Sequence, residues 1–348
     1  MPRLIVDAHE DIAFNAIALG RDFHTSAHEK RALEREAQHE GMALVGLPDL
    51  MRGNVRIVFG TLYVSPRNGG LPYAGSSYST AEEAEAAARE QLDYYRALTQ
   101  DPHISLIRTR ADLDRVVDTP GSLGFVVLME GADPIVHPED ATRWFEDGVR
   151  IVGPSWRGTR YAGGTGQPGP LTDIGRQLMV QLARAGLILD TSHMAEESFF
   201  QALDLFYGPV IASHSNARHF VPTDRHLSDE MIKAIIARDG VIGAVIFNAF
   251  LKRGWREDGA VKHAVTLSDV LDHIKHICDL AGDTLHVGIG SDFDGGYGAE
   301  ATPREIDTVA DLQRIGEALA NAGFKDDEVE GILSGNWLRL LRRTLPTG

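Results

Sequence analysis

A (β/α)8 TIM barrel of the metal-dependent hydrolase type is the fold class this sequence predicts, and three observations carry it. Eight short β-branched or aliphatic runs alternate with longer helical patterns along the 348 residues. Those runs are nearly continuously apolar, as parallel strands covered by helices are, and the number eight favours closure into a barrel. Polar residues able to bind metals or move protons stand at the C-terminal ends of the runs, the end at which barrels build their sites. An open doubly wound sheet is the alternative, but the first strand-to-helix turn lacks the Gly-rich dinucleotide fingerprint.

In chain order, the predicted strands are Leu4–His9, Val55–Val64, Gly124–Glu130, Val149–Gly153, Leu187–Thr191, Pro209–Ser213, Val241–Phe247 and Leu285–Gly290. The first helix pattern, Thr80–Thr99, opens on a Thr cap followed three residues on by Glu83. Further helices are expected over Pro138–Phe145, Thr172–Ala185, Ala195–Phe206, Ser228–Arg238, Ser268–Ala281, Val309–Ala322 and Asp326–Leu333. Two Gly-rich stretches, Arg67–Ser77 and Gly158–Pro170, each follow a strand and read as long βα loops, with glycine acting as flexible punctuation or admitting a ligand close to the backbone. No composition shift marks a boundary, so residues 1–348 are expected to form a single domain.

Hydrophobic residues at 43% and charged residues at 24% are ordinary for a globular protein. A formal net charge of -16 disfavours a nucleic-acid partner, which requires clustered Lys and Arg. The start M-P-R-L-I-V-D does not read as a signal peptide, and no apolar run reaches the ~18 residues of a membrane span, so a cytoplasmic protein without a membrane partner is expected. One cysteine, Cys278, excludes an intramolecular disulfide and a thiolate cluster. Its helical surroundings, V-L-D-H-I-K-H-I-C-D-L, predict a buried structural thiol. Any metal site must therefore draw on carboxylates and the 14 histidines.

The strand ends supply such a set. L-I-V-D-A-H-E-D places His9 and Asp11 on one face of the first strand, because residues i and i+2 of a strand point the same way. The third strand ends in Glu130, the fifth runs out at His193, the sixth at His214 and the eighth at Asp292. Taken singly, a His at a strand end reads as a hydrogen-bonded structural residue, and Glu130 or Asp292 as a helix cap. Together they exceed what one tetrahedral zinc needs, which points to two metals. Some barrel hydrolases bridge two metals with a carbamylated lysine. None of the eight predicted strands contains a Lys, so Glu130 is the candidate bridge and Asp292 the candidate general base.

These motifs carry a family resemblance. His9-x-Asp11, the M-E-G of Glu130, the D-T-S-H of His193, the S-H-S-N-A-R of His214 and the G-S-D-F-D-G of Asp292 resemble the motifs of the renal (membrane) dipeptidase family of zinc peptidases, family M19. The match runs in order from Leu4 to Arg342 and ends in G-N-W-L-R-L-L, in the manner of a bacterial-type cytosolic member. The resemblance implies a (β/α)8 barrel and two zinc ions, with His9, Asp11 and Glu130 on one ion and Glu130, His193 and His214 on the other. Manganese or cobalt suits the same ligands. It implies dipeptide hydrolysis by a metal-bridging hydroxide with Asp292 as proton shuttle, and Arg225 as the group that binds the substrate's free carboxylate.

Two substrate positions depart from the family pattern. Asn248 falls where mammalian members have a tyrosine, and Trp156 stands where renal-type members read L-T-H. An indole N–H donates one hydrogen bond but carries no imidazolium charge, so oxyanion stabilisation is expected to fall on the metals, or on Arg160 or Tyr161. The same chemistry on an N-acyl amino acid or a β-lactam-like ring is therefore a second expectation. A metal-loaded binding protein without catalysis is a third, against which the retained Asp292 argues. A homodimer is compatible with a barrel of this size, although no apolar stripe marks an interface.

Overall fold

The computed structural model describes residues 2–34, 41–67, 77–255 and 264–348. Eight strands form the barrel wall: β1 (Ile5–Glu10), β2 (Val55–Tyr63), β3 (Leu123–Glu130), β4 (Val149–Gly153), β5 (Ile188–Asp190), β6 (Val210–Ile211), β7 (Ile242–Ala244) and β8 (Val287–Ile289). They run parallel in the order β6-β5-β4-β3-β2-β1-β8-β7. Between the outer two, Ala212 pairs in parallel with Ile242, and Gly243 N donates to Ala212 O at 2.8 Å, which joins the ends into a (β/α)8 barrel. Every residue of these strands is buried, and most are apolar, as a parallel sheet covered on both faces requires.

Alternate residues of the wall face different partners. Val6, Ala8, Ile57, Phe59, Val126 and Leu128 cluster with Trp337, Leu340 and Leu341 of the last helix, Asn336–Thr344. Val58, Val127 and Leu189 pack instead with helix residues such as Leu92, Trp144 and Leu182. The barrel interior is thus filled by branched side chains and plugged from below by Trp337, whose Nε1 donates to Ile289 O at 3.0 Å and whose ring meets Phe59 edge-on at 5.2 Å. Gly288 makes room for the plug: a Cβ there would overlap the indole. Asn336 Nδ2 donates to Thr284 O and Val287 O, both at 2.7 Å, so the G-N-W-L-R-L-L stretch is a structural latch beneath β8.

The predicted helices appear, several of them with side-chain-capped starts. Thr80 caps Ala81–Leu98, accepting from Glu83 N at 3.2 Å; Thr172 caps Asp173–Ala185, and Ser228 caps Asp229–Ala237. Glu196–Leu205 and Leu267–Ala281 also match their patterns. Two others begin as 3-10 turns, Pro138–Asp140 before Ala141–Asp147 and Val309–Leu312 before Gln313–Asn321. Asp326–Glu330 runs into a π-helical turn, Gly331–Gly335.

Several elements lie outside the sequence prediction: helices Ile12–Leu19, Ala27–Leu33, Leu47–Arg52 and Arg110–Asp118, and strand Ile104–Leu106, which pairs beside the first half of β3. Gly158–Pro170 is more ordered than punctuation implies, because Ala162–Gly164 and Gln167–Leu171 pair antiparallel within it. Most of Arg67–Ser77 lies outside the described residues. Cys278 is half-buried, and burial pushes its thiol up to about 12, which leaves it unreactive. Among the described residues no helix is long and apolar enough to cross a membrane.

Candidate active site

All six groups picked out at the strand ends meet at one mouth of the barrel. His9 is the penultimate residue of β1, and Asp11 opens the helix that follows. Glu130 ends β3; His193, His214 and Asp292 follow β5, β6 and β8. His9 Nε2 is 3.5 Å from Glu130 Oε2, 3.9 Å from Asp11 Oδ2 and 3.8 Å from Asp292 Oδ1. The other Glu130 oxygen, Oε1, lies 3.2 Å from His193 Nε2 and 3.4 Å from His214 Nε2, and those two nitrogens are 3.0 Å apart. Glu130 therefore turns one oxygen to each of two donor sets.

The donor atoms of His9, Asp11 and Glu130 lie close enough together to hold a metal ion, as do those of Glu130, His193 and His214, and those of His9, His214 and Asp292. Two observations show that these residues fit divalent ions. First, His9 Nε2 is fully buried with no hydrogen-bond partner among the described residues. Second, the site is short of positive charge. Burial works against a charged His9, yet Glu130, Asp11 and Asp292 outweigh it and hold the imidazole at about 10. Burial pushes Asp11 up to about 7 and Asp292 well above the carboxylate range. Burial also opposes the Glu130 charge, but His9, His193 and His214 overcome it and keep that carboxyl well below the usual range. Burial and the Arg225 charge lower His193 to about 4, and burial, His9 and Arg225 take His214 well below the imidazole range. Neutral imidazoles facing a carboxylate suit a cation of charge two.

The backbone is under local tension at two of these positions. His193 and Asp292 both have φ 65°, in the left-handed region that non-glycine residues enter at a cost of ~1–3 kcal/mol. Gly295, three residues past Asp292, packs against both carboxylates; a Cβ there would press into Asp292 Oδ1 and lie 2.8 Å from Asp11 Oδ2.

Above this floor opens a cavity of about 290 Å³. Its walls include Phe14, Tyr63, Trp156, Phe247, Phe250 and Tyr297, with Arg157 and Arg225 as the guanidinium groups among them. Arg225 is buried, donating from Nη2 to His214 O at 2.8 Å and from Nη1 to Ser215 Oγ at 3.2 Å, while its Nε has no hydrogen-bond partner among the described residues. Trp156 meets Tyr63 edge-on at 5.1 Å and lies 6.3 Å from the His193 ring.

Three residues chosen from the sequence lie off this cavity wall. Arg160 is held by Asp133 and by the carbonyls of Ile135 and Val136; the buried Tyr161 hydroxyl donates to Ile135 O. Asn248 is fully buried and donates to Thr302 O at 2.9 Å, while its neighbours Phe247 and Phe250 line the wall. Conversely, Thr61 donates to Asp11 Oδ1 and Thr165 Oγ1 lies 3.0 Å from His193 Nδ1. Neither threonine was singled out by the sequence, and only a position near a strand end or in a Gly-rich loop hinted at them.

A parallel barrel with histidine and carboxylate donors gathered at its C-terminal mouth defines a metallohydrolase. The model of the membrane dipeptidase family (peptidase family M19) matches residues 3–346, and the chain belongs to that family of metallo-dipeptidases. Among solved structures, dipeptidase AC, a metallo peptidase of family M19, superposes with a TM-score of 0.82 at 26% identity, covering 99% of each chain. A metallo peptidase from Rhodobacter sphaeroides, liganded with a phosphinate mimic of the dipeptide L-Ala-D-Ala, gives 0.80 at 25% identity over 99% of this chain and 100% of that one. In sequence, the chain is 32% identical over 249 residues to a Klebsiella pneumoniae protein of the pqqA 5' region, covering 69% of this chain and 88% of the relative. It is 26% identical over 307 residues to dipeptidase aclJ of Aspergillus oryzae, covering 85% and 69%.

Proposed function

We propose that this chain hydrolyses dipeptides with two divalent metal ions, zinc by the family resemblance and manganese or cobalt by equal fit to the donors, and that Glu130 would be common to both positions. The observation that carries the proposal is the split of the Glu130 carboxylate, Oε2 towards His9 and Oε1 towards the His193/His214 pair. His9, Asp11 and Glu130 would hold one ion, and Glu130, His193 and His214 the other. When bound, such ions polarise a carbonyl and lower the pKa of water towards ~7.

The remaining chemistry belongs to the chain. Asp292 faces the cavity beside His9 and takes the proton of the attacking water, then returns it to the leaving amine. Arg225 receives the substrate's terminal carboxylate; its unpartnered buried Nε and its place in the wall leave it a donor for that purpose. Trp156 and Tyr63 close the wall against water without adding charge. A cavity of about 290 Å³ is at the small end for ligand sites, which suits a substrate of two residues. The aromatic wall around Trp156 favours one other reading, in which the amide carries an apolar acyl group, as in an N-acyl amino acid or a β-lactam-like ring.

Metal-replete protein assayed against dipeptides and N-acyl amino acids in parallel tests both. Turnover of dipeptides, reduced at least ~100-fold by Asp292→Asn, is expected. Turnover of acylated amino acids alone would move the substrate class, and no turnover of either would overturn the catalytic assignment.

A further inference from the structure

Asp190 ends β5 and is buried against the floor of the site, one layer behind the donors. Its Oδ1 accepts from two backbone amides, Ser192 N at 3.0 Å and Ser213 N at 2.8 Å, while Oδ2 accepts from the Ser213 hydroxyl at 2.5 Å. A serine hydroxyl has one proton, and here Asp190 takes it. What remains on Ser213 Oγ is lone pairs, and they face His214 Nδ1 at 2.8 Å and, more loosely, His9 Nδ1 at 3.4 Å. Each of those contacts is a hydrogen bond only if the ring nitrogen carries the hydrogen.

We propose that Asp190, acting through Ser213, is a positioning residue that fixes His214 as its Nδ1–H tautomer and so keeps the Nε2 lone pair turned to the metal position. The proposal rests on the metal role given to His214 above. The device answers a real competitor: with its proton on Nε2 instead, His214 could donate to Glu130 Oε1 at 3.4 Å or to His193 Nε2 at 3.0 Å, and it could not ligate a cation. One hydroxyl also reaches His9, so the same carboxylate biases a donor from each set.

The geometry makes Asp190→Asn a reversal of polarity rather than a simple loss. Two backbone N–H groups point at Oδ1, so the amide oxygen must take that place and the NH2 must face Ser213 Oγ. The amide then donates to the hydroxyl, the hydroxyl proton turns to His214 Nδ1, and the imidazole proton is driven to Nε2. Shape and volume barely change.

The test is ¹⁵N-histidine NMR of the full chain with metal removed, paired with Zn²⁺ affinity measured by competition against a chelator. Wild-type His214 is expected to carry its hydrogen on Nδ1. In Asp190→Asn it should move to Nε2, with Zn²⁺ affinity lowered ~10–100-fold and the thermal unfolding of the metal-free protein little changed. Ser213→Ala, which removes the relay at its middle, should weaken Zn²⁺ to a similar degree and add little on top of Asp190→Asn; it carries the test if Asp190→Asn does not fold. A wild-type His214 with its hydrogen on Nε2, or unaltered tautomer and Zn²⁺ affinity in both variants, would overturn the proposal. If His214→Ala leaves Zn²⁺ uptake intact, the metal assignment fails, whereas the wild-type tautomer still reports on the relay by itself.

Discussion

At the scale of single residues, the site depends on a few close approaches that leave no slack. His193 and Asp292 both hold left-handed backbone, and Gly295 gives the Asp292 and Asp11 carboxylates the space they occupy. Gly295→Ala is therefore expected to displace Asp292, reducing kcat at least ~10-fold while changing global stability by no more than ~1–2 kcal/mol. Steady-state kinetics beside denaturant unfolding checks this, and an unchanged kcat would show that the Asp292 position is not critical. The first layer of the site was legible in the sequence because metal and proton chemistry demand particular side chains, and strand ends are where a barrel presents them. The layer behind was not. Asp190 and Ser213 sit inside the D-T-S-H and S-H-S-N-A-R stretches, but their work is to set hydrogen positions on other residues, which no spacing reports. Arg160 and Tyr161 show the reverse limit. Their chemistry suited an oxyanion partner, yet Asp133 and the Ile135 carbonyl, more than twenty residues upstream, hold them elsewhere.

At the scale of elements, helix Leu267–Ala281 carries a built-in acid sensitivity. His273 is fully buried; its Nδ1 accepts from Ala217 N at 3.1 Å and its Nε2 lies 3.3 Å from Leu251 O, an arrangement that the neutral ring alone can make. Burial lowers its pKa from 6.5 to about 4. The unfolded chain binds a proton at this position between those values and the folded chain does not, so stability rises with pH across that window. The contribution is present above pH ~6.5 and lost as pH falls towards 4, with an upper bound of ~3 kcal/mol. Unfolding midpoints measured from pH 7 to 4.5 should fall in wild type and fall less steeply in His273→Gln; equal slopes would show that other groups set the acid limit. Helices with a capped start and a polar face were readable, as Thr80 and Glu83 show. Ile12–Leu19 was not, because it is apolar almost throughout and buried at its first turn, so no periodicity marks it.

At the scale of the whole molecule, eight strands converge so that side chains separated by up to 283 residues share one Glu130-centred pair of donor sets, the longest span being His9 to Asp292. The barrel was legible because parallel strands buried on both faces are mostly apolar, and that bias survives in each of the eight runs despite buried exceptions such as Asp7, Arg56 and Arg150. Its closure from below was not. The last helix has an ordinary amphipathic pattern, and only Gly288, opposite Trp337, betrays that an indole enters the barrel there. The resulting division is physical: an apolar, plugged lower half holds the strands in register, and the upper half holds charges that burial alone would neutralise.

The central claim is that Glu130 joins two metal positions in one site, and the measurement that meets it most directly is metal content by elemental analysis after zinc loading and desalting. Wild type is expected to retain two ions per chain and Glu130→Ala to retain at most one, with dipeptide hydrolysis lost alongside. One ion in the wild type, or a full load in Glu130→Ala, would contradict the account.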